Sequence, residues 1–226
     1  MWSSNHENKL KLKTKKGVQE SSRRAQHTLT GLVIAFLRIF FVPEREAVLI
    51  IAISAALIFS LHLIRLHNTS FQKFFTNHFS DLLRTSEING KLPGCFFFLA
   101  GTAASFALFP SWLGLLMLLH LSFGDPIAGR WGRVNSPSNI RLANGKSRNG
   151  FLACWIACSS CSFLYLKCVS GEFAPPTSLP NPFLFSLLSG LSSALCETLL
   201  PTNIIDDNFA LPVGSGCMHV IIFYNT

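Results

Sequence analysis

The sequence predicts an all-α, polytopic integral membrane protein of about seven transmembrane helices, on three observations. The 226 residues are 49% hydrophobic and only 13% charged, with a mean hydropathy of +0.39, too apolar and too weakly charged for an ordinary soluble domain. The 21 phenylalanines cluster in apolar runs instead of standing as isolated core anchors. The positive charge is also spread unevenly about those runs, in the manner that sets the orientation of membrane helices.

Residues 1–28 are polar and basic, with Lys9, Lys11, Lys13, Lys15, Lys16, Arg23 and Arg24 against Glu7 and Glu20. Much of the net charge of +8 therefore sits before the first apolar run. Low hydrophobicity predicts disorder up to about Arg23. Beside apolar segments, such a tail reads as a cytoplasmic flank facing anionic lipid, and no nucleic-acid partner is expected. No small-residue cleavage site follows the first run, so no cleavable signal peptide is expected.

Residues 29–226 form one membrane domain, with apolar runs from Leu29 to Val42, Ala47 to Ile64, Pro93 to Phe109, Ser111 to Ile127, Gly150 to Val169, Pro182 to Leu200 and Phe209 to Tyr224. Several are shorter than the roughly 20 residues that cross a hydrocarbon core. The first is interrupted by Arg38, and Gly124-Asp125-Pro126 is expected to break the fourth. With the N-terminus inside, Arg65, Lys73, Arg84 and Lys91 fall in one inside loop, and Arg130, Arg133, Arg141, Lys146 and Arg148 in another. Only Arg45 and Lys167 fall outside, which is the asymmetry of the positive-inside rule. Between the second and third runs, Phe71, Phe74, Phe75, Phe79, Leu82 and Leu83 recur at helical spacing among polar residues, as in an interfacial amphipathic helix. The seven cysteines lack metal-site or disulfide spacing. Cys154, Cys158 and Cys161 share a helix face and read as small packing residues.

Chemistry-bearing residues gather at the ends of the runs. Asp125 lies at the inner end of the fourth, where a carboxylate is costly without a metal ion or a cation. Gly124, Gly129 and Gly132 would let backbone approach a ligand, and Arg130 and Arg133 offer planar donors suited to phosphate. The alternative is a Gly-Asp-Pro turn with ordinary juxtamembrane arginines. Asp206-Asp207-Asn208 precedes the last run on the same side, with Glu197 nearby. Such oxygen-rich side chains suit Mg²⁺, or else form a solvated turn with Asn208 as a helix cap. Arg84 and Glu87 share a helix face and can pair with each other or meet a headgroup. His27 reads by itself as an interfacial histidine. Gly145-Lys146-Ser147 is no Walker A motif, because Ile140 stands where its first glycine belongs and no strand precedes it.

In order along the chain stand Arg23-Arg24-x-x-His27 with Gly31, Arg84-x-x-Glu87 with Gly94 and Gly101, Gly124-Asp125-Pro126-x-Ala128-Gly129-Arg130-x-Gly132, Lys146-Ser147-x-x-Gly150, and Glu197 before Asp206-Asp207-Asn208. This order, over roughly residues 21–220, resembles the CTP-dependent lipid kinases, which comprise diacylglycerol, dolichol and phytol kinases and are often labelled phosphatidate cytidylyltransferase-like. The resemblance implies transfer of phosphate from CTP to a lipid alcohol with Mg²⁺ or another divalent cation. The site would lie on the cytoplasmic side, in an endoplasmic reticulum or nuclear membrane of a eukaryote or the cell membrane of a bacterium. Asp125 with Asp206 or Asp207 would hold the metal, and Glu197 would help order the site. Arg130, Arg133, Lys146, Asn208, Gly124 and Gly129 would meet the nucleotide, and Arg24, His27, Arg84 and Glu87 the lipid and interface. Two alternatives remain open: a phosphatidate cytidylyltransferase, and a non-catalytic membrane transporter.

Overall fold

The computed structural model describes residues 2–134, 139–142, 144–176, 181–200 and 205–224, with side chains from residue 17 to residue 223. Among them the secondary structure is helical: α1 (Trp2–Phe40), α2 (Glu44–His67), α3 (Thr69–Phe79), α4 (Thr85–Ile88), α5 (Gly94–Leu108), α6 (Ser111–Trp131), α7 (Arg148–Cys168), α8 (Pro182–Leu199) and α9 (Asp207–Tyr224), with a short 3-10 turn at Gly171–Phe173. Four of these, α2, α6, α7 and α8, are long and apolar enough to cross a membrane, and α5 is apolar but shorter. The other two of the seven apolar runs are the C-terminal part of α1 and most of α9. The sequence set the first run apart from a polar tail, whereas α1 is one helix from Trp2 through the basic residues into the apolar segment.

Local chemistry starts and stops these helices where the sequence allows. α2 opens after Pro43 with Glu44 and Glu46 in its first turn and closes with Arg65 and His67 in its last, matching the helix dipole at both ends. α8 opens on Pro182 behind Asn181, whose side chain accepts the Phe183 N–H.

The fourth run departs from the expectation of a break. α6 continues through Gly124-Asp125-Pro126 and ends at Trp131. Pro126 has no N–H for the carbonyl of Ser122, one turn earlier. That carbonyl instead accepts the Thr28 hydroxyl of α1 at 2.8 Å, and the adjacent Leu121 carbonyl lies 3.1 Å from His27 Nε2. Polar groups of a neighbouring helix thus replace the missing bond, which is how proline is carried inside membrane helices.

α6 is the central element. It packs against α1, α5, α7, α8 and α9, and Leu113, Leu115, Leu116, Met117, Leu118 and Leu121 along it are fully buried. Leu49, Ile50, Ile53 and Leu57 of α2 and Ile156 and Leu164 of α7 face outward, a lipid-facing surface in a chain of this hydropathy. Arg38, which interrupts the first run, is buried and bonded to Glu172 at 3.1 Å and to Glu44 and Ser111 at 3.2 Å each. Ser111 opens α6, so this charged cluster lies about 20 Å along that helix from Asp125.

Candidate active site

The end of α6 meets the loop before α7, the end of α8 and the start of α9. Asp125 comes from α6, Glu197 from the last turn of α8, and Asp207 is the first residue of α9. One carboxylate oxygen of each lies within 4.8 Å of the others. Lys146 Nζ donates to Glu197 Oε1 and Asp207 Oδ2 at 2.7 Å each.

The loop that carries Lys146 is built for rigidity. Arg141 and Ser147 pair as an isolated bridge, Leu142 N–H donates to the Lys146 carbonyl at 2.8 Å, and Gly145 takes a φ of +83° that favours glycine. Asn144 Nδ2 ties the loop to the end of α8 through the Thr198 carbonyl at 2.7 Å. Ser147 caps α7 by accepting the Gly150 N–H at 3.1 Å. The end of α6 presses against this cap, where a Cβ on Gly132 would sit 2.8 Å from the Ala128 carbonyl and 3.1 Å from Ser147 Oγ.

A cleft of about 320 Å³ opens above the carboxylates. Arg23, Arg24, Arg84, Arg133 and Arg141 line it with Lys146, as do Gly129 and the three carboxylates. The cations outnumber the anions, and the guanidinium groups offer forked donors, so the cleft suits a polyphosphate. Burial alone would lower the Lys146 pKa, but Glu197 and Asp207 outweigh it and raise it, so the ammonium stays charged. Burial pushes the Asp206 carboxyl up, opposed by Arg84 and the Asn208 N–H.

A second cavity, about 400 Å³ and mostly apolar, adjoins the cleft at Arg23. Its polar end holds His27, Glu87, Gly94 and Asn208, and its walls include Phe75 and Phe79 of the amphipathic helix α3. His27 rests edge-on against Phe98 with Nε2 3.9 Å from Asp125 Oδ2. Burial pushes its pKa below the ordinary histidine value, although Asp125 opposes this. Glu87 is buried, accepting Arg84 N–H at 2.9 Å and Gly94 N–H at 3.0 Å, so it joins the interfacial segment to the start of α5.

The expected site residues divide accordingly. Asp125, Glu197, Asp207, Lys146, Arg133, Gly129, Arg24 and Arg84 meet at the cleft, while His27, Glu87 and Asn208 face the adjoining cavity. Asp206, expected beside the metal, turns away from the carboxylate cluster: Oδ1 accepts the Asn208 N–H at 3.0 Å and Oδ2 lies 3.8 Å from Arg84. It is therefore Asp206, not Asn208, that caps α9. Gly124 lies off the cleft, where its missing Cβ would fall 2.7 Å from Cys158 Sγ and 3.2 Å from Cys154 Sγ, so it serves the contact of α6 with α7. Arg130 is exposed and outside the cleft lining. Arg23 and Arg141 line the cleft although the sequence did not single them out for it. Arg23 had a signal, because it stands one helical turn before His27 on the same face. Arg141, in an irregular loop, had none.

The fold and cleft define a polytopic membrane protein with a basic, carboxylate-bearing pocket beside an apolar cavity. No family model matches the chain and no solved structure matches it. Among curated proteins, it is 26% identical over 206 residues to the CTP-dependent diacylglycerol kinase 1 of Schizosaccharomyces pombe, covering 90% of this chain and 93% of that protein. It is 29% identical over 218 residues to the CTP-dependent diacylglycerol kinase 1 of Eremothecium gossypii, covering 91% of this chain and 68% of that protein. Over nearly its whole length the chain is therefore similar to proteins named as CTP-dependent diacylglycerol kinases.

Proposed function

We propose that the protein is a membrane kinase that transfers the γ-phosphoryl group of CTP to a lipid alcohol, with diacylglycerol as the acceptor that the named relatives favour. The observation that carries this reading is the joining of a polyphosphate-sized cationic cleft to an apolar cavity through a shared arginine, Arg23. In-line phosphoryl transfer is governed mainly by positioning and charge neutralisation. Arg23, Arg24, Arg84, Arg133 and Arg141 would receive the triphosphate, with Lys146 at its γ end. The acceptor oxygen forms a bond to the γ-phosphorus as the bond to the bridging oxygen breaks. The electron pair of that bond leaves on CDP, and the hydroxyl proton passes to a carboxylate of the cleft.

A divalent cation fits the residues present. Asp125, Glu197 and Asp207 are hard oxygen donors grouped within 4.8 Å, and three carboxylates against the Lys146 ammonium leave a negative charge for Mg²⁺ to neutralise. When bound, the ion would draw charge from the β- and γ-phosphate oxygens. Asp206 is better placed to hold Arg84 and the start of α9. The positive-inside asymmetry supports a cytoplasmic face for the cleft.

The test is turnover by the purified protein in mixed micelles containing diacylglycerol, dolichol or phytol with CTP and Mg²⁺. A phosphorylated lipid formed in equal amount with CDP is expected, with diacylglycerol the preferred acceptor. Release of pyrophosphate with a cytidine-bearing lipid would replace the kinase reading with the cytidylyltransferase.

A further inference from the structure

One residue that lines the apolar cavity carries a buried hydrogen-bond acceptor with no donor among the described residues. Asn208, the second residue of α9, lines that cavity with only 3% of its surface exposed. Its Nδ2 donates to the Gly94 carbonyl at 3.2 Å, which orients the amide. Its Oδ1 is buried and has no hydrogen-bond partner among the described residues. A buried amide oxygen left unpaired is unfavourable, and ligand sites are where such an exception has an explanation.

The surrounding geometry narrows the missing donor. The neighbouring residues Asp207 and Asn208 point about 100° apart at the start of α9, so one reaches the Lys146 cluster and the other the cavity. That start is held hard against α5, where a Cβ on Gly101 would fall 2.6 Å from the Asn208 carbonyl oxygen. Glu87, the carboxylate beside it, already has a backbone N–H on each oxygen. The lining also includes the polar side chains of Arg23, Gln26, Thr30 and His62, none of which bonds Asn208 Oδ1. Its apolar side chains, such as Leu61, Phe75, Phe79 and Leu99, offer a surface to the tail behind a donor-bearing head.

We propose that Asn208 binds the hydroxyl of the lipid acceptor, its Oδ1 receiving the O–H, and that the cavity holds the first part of the acceptor's tail. This rests on the kinase reading and assigns Asn208 to the lipid side of the reaction, not the nucleotide side. Asn208 takes the hydrogen bond in the resting complex and no proton; it aims the acceptor oxygen past Arg23 toward the γ-phosphorus, and as the O–P bond forms the O–H turns from Asn208 Oδ1 to a carboxylate of the cleft, which takes the proton.

Asn208→Leu keeps the volume and removes the acceptor atom, and Leu99→Trp fills the cavity from a wall that carries no polar contact. Both are measured as purified full chains in mixed micelles, varying diacylglycerol at saturating CTP and then CTP at saturating diacylglycerol, with CTP-dependent thermal protection reporting the fold. Asn208→Leu is expected to lower kcat/KM for diacylglycerol by about 10- to 100-fold, the scale of one buried hydrogen bond, and to leave the KM for CTP within about twofold. Leu99→Trp should raise the KM for diacylglycerol, more so for longer acyl chains, with the CTP constant unchanged. An acceptor constant that stays at the wild-type value in Asn208→Leu, or a rise in the CTP constant alone, overturns the assignment. A wild-type protein that phosphorylates no lipid from CTP overturns the kinase reading itself, and the acceptor role with it.

Discussion

Replacing Asp125 with Asn is nearly isosteric and removes one full charge from the carboxylate cluster. A divalent ion and a carboxylate about 4 Å apart attract by about 8 kcal/mol at an effective dielectric near 20. If solvent in the open cleft leaves only about a third of that, the loss is still about 2.7 kcal/mol, or about 100-fold in ion affinity. The fold has little to lose, because among the described residues the ion-pair contact of Asp125 is with His27 at 3.9 Å and α6 is held by its apolar core. Asp125→Asn should therefore insert and accumulate normally while phosphate transfer at ordinary Mg²⁺ falls by about 100-fold or more, with partial recovery at high Mg²⁺. The assay is lipid phosphorylation from CTP per mole of purified protein across a Mg²⁺ titration. Full specific activity at ordinary Mg²⁺, or a fall in abundance with activity per molecule preserved, would remove Asp125 from the metal site.

Glu87→Gln should lower turnover by about tenfold or more, since the amide's NH₂ would face one of the two backbone N–H groups that Glu87 now accepts; thermal melting in detergent would separate this from global unfolding. Lys146→Met should abolish transfer and lower thermal stability, because Glu197 and Asp207 lose their shared partner, and added Mg²⁺ should restore part of the stability but not the activity. The raised pKa of Lys146 means that its contribution to stability is fully present below the unfolded value of about 10.4 and is lost only as pH rises through the higher folded value. Wild type and Lys146→Arg should accordingly share the same pH dependence of melting between about pH 6 and 9, and a wild-type loss within that window would contradict the pairing. In a background without native cysteines, probes at Ile140 and Ile205 should label from the same side and a probe at Phe41 from the other, all three being exposed; positions 135 and 203, natural choices from the sequence, lie outside the described residues.

Much of the fold was legible because apolar runs of helical length leave few alternatives. α2, α7 and α8 follow the expected runs closely, and the aromatic spacing over 71–79 anticipated α3. Gly124-Asp125-Pro126 was not legible: proline and glycine are local breakers, and only Thr28, almost a hundred residues away in sequence, shows how the helix continues. The residue types of the cleft were readable, but their partition was not. Whether Asp206 or Asp207 faces Lys146 depends on the rotation of α9 about its axis, and Glu197 joins them because α8 ends beside that start. Gly124 looked like a ligand-approach glycine and is instead a contact for Cys154 and Cys158, which no spacing within one helix could reveal. The separation of cleft from cavity, with Asn208 on the lipid side, likewise depends on α5 and α9 meeting.

The central claim is that the γ-phosphorus of CTP is the atom transferred to lipid. The direct measurement uses purified protein, diacylglycerol micelles and Mg²⁺, with CTP labelled at the γ position in one reaction and at the α position in a parallel one. The γ label should enter the organic-solvent-soluble lipid while the α label stays in water-soluble CDP. An α label in the lipid, or a γ label recovered only in pyrophosphate, would contradict phosphoryl transfer by this site.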